Sequence, residues 1–294
     1  MMRERVPLAV RLSRRGIDGV TLLALPAILF VLALFVYPFL YGLVLSFRPK
    51  AGDMLANYAN FFSDPFLYST LGKTLWLAVP VTLLNVALSV PVALRVRLMR
   101  RQRLLTTILV IPITLGTVLV AEGMLNYLGP RGWLNRVLLE FGLSSSPVRL
   151  IHNYWGVFLS LVITGFPFTF LLTLSYVTGI DPSLEQAGAM LGARARQRFG
   201  EIVLPLLVPG LIVTFCLSFV QAFSVFPSAV LLGAPAGDTR VISVAAYTAA
   251  FEDYDYSMAS AIAMIMAFTQ VLIVAVLLGL QRLVYRGPAG GGKG

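Results

Sequence analysis

The chain has one cysteine, one histidine and few charges: only 12% of its 294 residues are Asp, Glu, Lys or Arg. Each shortage excludes something. Cys216 has no second cysteine to pair with, so no intrachain disulfide can form. His152 alone excludes a multi-histidine metal site. Soluble domains average about 25% charged residues, so this chain has too little charge to cover a water-facing surface. With 58% hydrophobic residues, the expected solvent is a membrane.

Catalytic patterns are missing too. The serines lack a His–acid pair, which leaves an intramembrane hydrolase unsupported. His152 sits with Asn153, Tyr154 and Trp155 at an expected membrane boundary, where such residues act as interfacial anchors. A phosphate-binding loop needs Gly-x4-Gly-Lys-Ser/Thr so that backbone amides can cradle the phosphates. Gly72-Lys73-Thr74 supplies its end, but Leu67 stands where the first glycine belongs. Gly287 to Lys293 has the spacing, but Gly294 follows. No cofactor is therefore expected in this chain, and no enzyme activity. Energy from ATP would have to come through a partner.

What is present is a set of long uncharged stretches. One charge at the bilayer centre costs about 2.5–3.5 kcal/mol on insertion scales, so charges mark boundaries. The stretches are Gly19–Phe47, Thr74–Leu94, Leu104–Ala121, Asn153–Ile180, Ile202–Gly237 and Tyr256–Gln281. A crossing helix needs roughly 20 residues. The third is short and is expected to continue past Glu122 to Leu128. Val241–Phe251 is too short to cross and reads as a re-entrant or interfacial piece. The expected fold class is an all-α membrane protein with six transmembrane helices.

The net charge of +10 is not a nucleic-acid signal, because the Arg residues come in bursts between apolar runs. Arg3 to Arg15, Arg95 to Arg103, Arg194 to Arg198, and Arg282 with Arg286 and Lys293 fall on one side. They outnumber the Lys and Arg of the other side, and the positive-inside rule then puts both termini in the cytoplasm. The first apolar run is about twice a signal peptide's 7–15-residue core, so it is expected to remain as the first helix. Residues 1–18 read as a cytoplasmic segment, 19–286 as the membrane domain and 287–294 as a flexible Gly-rich tail.

Between the fourth and fifth stretches lies Glu185-Gln-Ala-Gly-Ala-Met-Leu-Gly192, followed by Ile202-Val-Leu-Pro205. Asp181-Pro182-Ser183 is a good helix start, and Gly192 is a natural stop. The expectation is a short helix, a glycine turn, and a second helix running into the fifth span. Ala187, Gly188 and Ala189 are small enough to let another protein approach closely. Leu184 and Leu191 offer apolar anchors, and Arg194, Arg196 and Arg198 suit acidic groups of a partner or lipid phosphates.

This spacing resembles the "EAA…G…I-LP" signature of permease subunits of binding-protein-dependent ABC importers. Gln186 stands in place of the family's acidic residue and Gly188 in place of its second alanine, which removes any salt bridge from position 186. Gly132-Trp-Leu-Asn135, Phe141-Gly-Leu143 and Pro147-Val-Arg-Leu-Ile151 resemble the external loop of the spermidine/putrescine-type subfamily. That group includes opine, aminophosphonate, and ferric-ion or thiamine relatives. The resemblance is strongest over 131–210. It implies the type I importer permease fold, with 181–199 as the cytoplasmic coupling segment. Leu184, Glu185, Gln186, Ala187, Gly188, Leu191, Gly192 and Arg194 are its expected contacts. It also implies a second, homologous or identical permease, two cytoplasmic ATPases binding ATP and Mg, and an external solute-binding protein. The expected setting is a bacterial inner membrane, and the expected solute a polyamine or related cation or aminophosphonate-like compound. A stand-alone channel or secondary transporter is the alternative.

Polar groups inside hydrocarbon are pathway candidates. Asn85 lies in the second span, Thr114 and Thr117 in the third, and Ser218, Gln221 and Ser224 in the fifth, interleaved with Phe215, Phe219, Phe223 and Phe226. Helix-to-helix hydrogen bonding is the competing explanation for the polar residues. An external group of Asp238, Glu252, Asp253 and Asp255 with Tyr247, Tyr254 and Tyr256 suits a cationic solute, a binding protein or plain solvation.

Overall fold

The computed structural model describes residues 19–284. The expected N-terminal segment 1–18 and the tail 287–294 lie outside the described residues, as do the last two positions of the expected membrane domain. Every regular element among the described residues is helical. In chain order these are α1 (Gly19–Val31), α2 (Tyr37–Ser46), α3 (Ala56–Ser63), α4 (Pro65–Val96), α5 (Gln102–Leu128), α6 (Trp133–Glu140) and α7 (Tyr154–Thr178). Then follow α8 (Pro182–Met190), α9 (Ala195–Arg198), α10 (Leu204–Phe223), α11 (Pro227–Leu232), α12 (Ile242–Tyr247) and α13 (Tyr256–Val284). Among the described residues, six helical segments are long and apolar enough to cross a membrane.

Three spans form the middle. α4, α7 and α10 pack on one another, and α4 against α7 is the most extensive contact. Within their most apolar windows 39%, 44% and 39% of residues are buried, against 0%, 6% and 17% for the first, third and sixth spans. The outer three therefore present most of their surface outward. The first span touches the rest through α2 on α13, and the third through α5 on α7.

Two apolar clusters hold the centre. One gathers Phe61, Leu77, Phe219, Phe223, Ile242 and Ile262. The other, at the Arg-rich end, gathers Val96, Phe170, Val177, Ile180, Val203 and Leu207. Lipid supplies no hydrophobic drive between helices, so close packing and hydrogen bonds do the joining. Hydroxyl pairs cross the middle: Ser160 with Ser228 at 2.9 Å, Thr169 with Ser218 at 2.8 Å and Ser89 with Thr173 at 2.7 Å.

Helix starts follow local chemistry. Asp64 accepts from the Phe66 N–H at 2.8 Å and Pro65 takes the first turn, so α4 begins well before Thr74. Charge alone marked the boundary at Lys73, yet that residue lies inside the helix and its Nζ donates to the Gly237 carbonyl at 2.9 Å. The fifth span is also corrected. α10 stops at Phe223, because Pro227 forbids its predecessor a helical conformation and Phe226 takes φ −134° and ψ −60°. The remainder of that uncharged run forms α11 and a loop. Val241–Phe251 folds as α12 followed by a π-helical turn, Thr248–Glu252.

The prolines of the apolar runs fall into two groups. Pro26, Pro80, Pro91, Pro112, Pro167 and Pro209 lie inside helices, whereas Pro38, Pro205 and Pro227 open one. Pro38 and Pro205 each follow a π-helical turn, Leu32–Val36 and Phe199–Val203. In both, the residue just before the proline donates five residues back: Tyr37 to Leu32 and Leu204 to Phe199. A proline ring collides with the carbonyl four residues before it. The wider turn moves that carbonyl aside and keeps the helix continuous.

Candidate functional site

α8 and α9 form a helix–turn–helix at the Arg-rich end. Asp181 accepts from the Ser183 N–H at 2.9 Å and Pro182 occupies the first turn. That backbone bond, aided by the Ser183 hydroxyl, holds the Asp181 carboxyl below its ordinary pKa. At the other end the Gly192 N–H donates to Ala189 at 3.0 Å and the Ala193 N–H to Gly188 at 3.0 Å. This double closure needs a left-handed residue in the turn, and Gly192 supplies it with φ +83°. The Arg194 N–H then donates to Gln197 Oε1 at 2.9 Å, and α9 runs through the π-helical turn into α10.

The segment is fastened to its own chain. Arg97, at the end of α4, forms an ion pair with Glu185 and donates to the Val177 carbonyl at 3.3 Å. Arg198 donates to the Glu185 carbonyl at 3.3 Å. Glu185 is thus an internal latch. Gly188 is buried, and a Cβ there would meet Ile202 Cδ1 at 2.9 Å. Its small size serves packing of α8 against the entry to α10, which corrects the expectation that it admits a partner.

The outward face carries the other candidates. Leu184, Gln186, Ala187, Leu191, Gly192 and Arg194 are all exposed. Leu191 is 89% exposed and Met190, which the sequence reading passed over, 87%. Burying a Leu or Met side chain is worth roughly 1.5–3 kcal/mol each, whereas exposed ion pairs give about 0–1 kcal/mol. Leu184, Met190 and Leu191 therefore dominate what this face can offer a protein partner.

The pathway candidates separate. Asn85, Ser218 and Phe223 are buried within the chain. Asn85 Nδ2 donates to the Leu161 carbonyl at 3.5 Å, Ser218 pairs with Thr169, and Phe223 lies 5.4 Å from the Phe219 ring. Gln221 and Ser224 are exposed, and Ser224 Oγ accepts from Gln270 Nε2 at 2.8 Å. Ser218 and Gln221 therefore do not share one environment, although they are three residues apart.

At the opposite end a cavity of about 210 Å³ is bordered by Lys73, Trp76, Tyr154, Asp238 and Thr239. Beside it Arg240 lies over the Phe66 ring, 4.0 Å from its centroid. Asp255 pairs with Lys50 at 3.5 Å and accepts from the Met258 N–H and the Ser257 hydroxyl. Burial pushes its carboxyl up, but the Met258 and Ser257 bonds and Lys50 outweigh this and hold it below its ordinary value.

Residues 85–289 match the family described as the binding-protein-dependent transport system inner membrane component. The chain belongs to this family. It is a permease subunit of an ABC importer. The permease is 29% identical over 205 residues to the spermidine/putrescine permease PotB of Haemophilus influenzae, spanning 67% of this chain and 71% of the relative. It is 26% identical over 273 residues to the sulfate permease CysT of Salmonella typhimurium, spanning 92% and 95%. Its fold superposes on a chain of a bacterial alginate ABC transporter, solved in complex with an alginate pentasaccharide-bound periplasmic protein. The TM-score is 0.80 at 22% identity, over 96% of this chain and 99% of that one.

Two residues of the permease were hidden from sequence reasoning. Arg97 looked like one more topogenic arginine, and nothing local pairs it with Glu185, 88 positions away. Asn135 belonged to the quoted external-loop motif without a role. It is buried, donates to the Gly129 and Val148 carbonyls at 2.9 and 3.0 Å, and accepts from the Val148 N–H at 2.8 Å, pinning that loop.

Proposed function

We propose that this permease forms half of the translocation pathway of an ATP-driven importer for a small charged solute. A second permease, identical or homologous, supplies the other half. Two cytoplasmic ATPases bind ATP and Mg and grip the α8–α9 segment, and an external binding protein delivers the solute. Both termini are cytoplasmic. Closure of the ATPases pushes α8, the Arg97–Glu185 latch passes the push to α4, and the π-helical turn passes it to α10. The bundle then shifts between inward-open and outward-open states, each nucleotide state favouring one of them. This chain catalyses nothing itself.

The observation that carries this reading is the apolar outward face of α8 on a segment fastened to two central spans. A loop that only meets water needs neither Met190 and Leu191 held outward nor a latch behind them. The spermidine/putrescine relatives favour a small organic cation as solute. The Salmonella sulfate permease, which aligns over more of the chain, makes an anion the outcome to test against.

The test is co-expression with the neighbouring transport genes, followed by ATPase assay of the reconstituted complex. Recovery of an ATPase and a binding protein is expected, with hydrolysis stimulated by the loaded binding protein. Uptake by the purified chain alone would establish the channel or secondary-transporter alternative instead. Among the described residues, nothing lies within 4 Å of a Cβ at Gly192, so a bulky residue there strains only the turn and the outward surface. Gly192→Trp is expected to abolish the stimulation while leaving membrane insertion intact. Unchanged stimulation would remove the coupling assignment. Thermal-shift titration of the binding protein with spermidine and with sulfate decides the solute class.

A further inference from the structure

The third span carries a feature that the coupling geometry does not use. α5 is 27 residues long, and near its middle Gly116 stands at φ 75° and ψ 159°. That region of backbone space is essentially open to glycine alone. It divides the span into two helical pieces, and helix ends leave backbone donors and acceptors without intrahelical partners. Pro112, one turn earlier, removes a further donor, the one facing the Ile108 carbonyl. Thr114 Oγ1 donates backward to Ile111 at 2.7 Å and so stays within its own piece.

Among the described residues, none covers the break. Residues Ile113 to Leu119 are all exposed, and a Cβ at Gly116 would have nothing within 4 Å. Hydrocarbon cannot cover it either. Irregular backbone at membrane depth persists only where protein or water meets it. At 1.5 Å per residue each half of α5 spans about 20 Å, which places the break well inside a bilayer core of about 30 Å. Meanwhile Ser89, Ser160, Thr169, Thr173 and Ser218, in the central spans, are paired with other hydroxyls of the chain. The break adds open backbone groups at this depth to the few the central spans leave, Asn85 Oδ1 and Thr214 Oγ1, which are enclosed within the bundle.

We propose that the Gly116 break faces the water-filled solute pathway and is the hinge of its gate. This rests on the importer reading and names a site within it. Leu115 and Val118 close the path as an apolar constriction, which gates by excluding water. Thr117 and the freed backbone groups meet water and the polar groups of the passing solute. Glycine at the hinge permits the change of backbone angles, and the empty space around it permits the swing.

Two measurements on the assembled, membrane-embedded complex test this. In a Cys216→Ala background, Thr117→Cys is treated with a membrane-impermeant methanethiosulfonate, and Ile28→Cys on the outward face of the first span serves as control. Thr117→Cys is expected to react, with a rate that changes about tenfold or more between nucleotide-free and vanadate-trapped states as the gate population shifts. Ile28→Cys is expected to stay inert. If Thr117→Cys is as inert as Ile28→Cys in both states, the break lies against lipid or packed protein and the proposal falls.

The second measurement compares Gly116→Ala with Gly123→Ala. Both positions have room for a methyl group, but only Gly116 has a positive φ. Gly116→Ala is expected to lose uptake about tenfold or more, with co-purification of the ATPase unchanged, while Gly123→Ala keeps it. Full uptake by Gly116→Ala overturns the hinge. Failure of the ATPase to co-purify with the unmutated chain would count against the importer reading itself, whatever the labelling shows.

Discussion

Gly210 and Tyr176 show how closely individual residues set the central packing. A Cβ at Gly210 would meet Tyr176 Cγ at 2.3 Å and its Cβ at 2.9 Å. The ring's root cannot swing away from that contact as a flexible chain end would. Gly210→Ala should therefore destabilise the bundle by about 1–3 kcal/mol through overpacking, read as a lower Tm of the purified complex. Gly188→Ala meets the far end of Ile202 at 2.9 Å and the Arg198 side chain only at an ordinary 3.4 Å, and should cost much less. Asp255 supplies a pH dependence. Its pKa is held below the ordinary aspartate value of about 3.9. The stability it contributes is complete above that value and is lost as pH falls through the lower, folded-state pKa. Melting curves in acid should show this loss, and Asp255→Asn should flatten it.

The unit formed by α8 and its latch belongs to the scale of elements. Arg97 is largely buried and Glu185 partly so, with side chains 11% and 27% exposed. A pair of this kind is expected to couple by about 1 kcal/mol. A double-mutant cycle of Arg97→Gln and Glu185→Gln, read by stimulated ATP hydrolysis, should give single losses that do not add. Full additivity would show that the two side chains act separately. Much of this element was legible in the sequence. Asp181-Pro182 and Gly192 announce its ends because capping and left-handed turns are local chemistry. What Glu185 and Gly188 do was not legible, because their partners Arg97 and Ile202 arrive through tertiary packing. The same limit explains the spans. Charge marked the apolar centres well. It missed the start of α4, which Asp64 and Pro65 set, and the end of α10, which Pro227 sets.

At the scale of the whole molecule, burial is uneven in an informative way. The second, fourth and fifth spans are joined by the hydroxyl pairs Ser89–Thr173 and Thr169–Ser218, and the first, third and sixth are left largely bare. That division has no local signature, since all six runs are comparably apolar, with mean hydropathies of 2.1 to 2.6. It also shifts attention from Asn85, Ser218 and Phe223, which the fold encloses, toward the third span.

The π-helical turn Phe199–Val203 has a geometric corollary. At 3.6 residues per turn, one residue more or less rotates everything beyond it by about 100°. The extra residue in that wide turn thus sets the angular phase between the α8–α9 segment and the inner face of α10. Were the turn shortened by one position, Thr214, Ser218 and Phe219 would wheel away from α4 and α7 while α8 and α9 stayed put. The handle and the shaft are keyed to each other by that single residue.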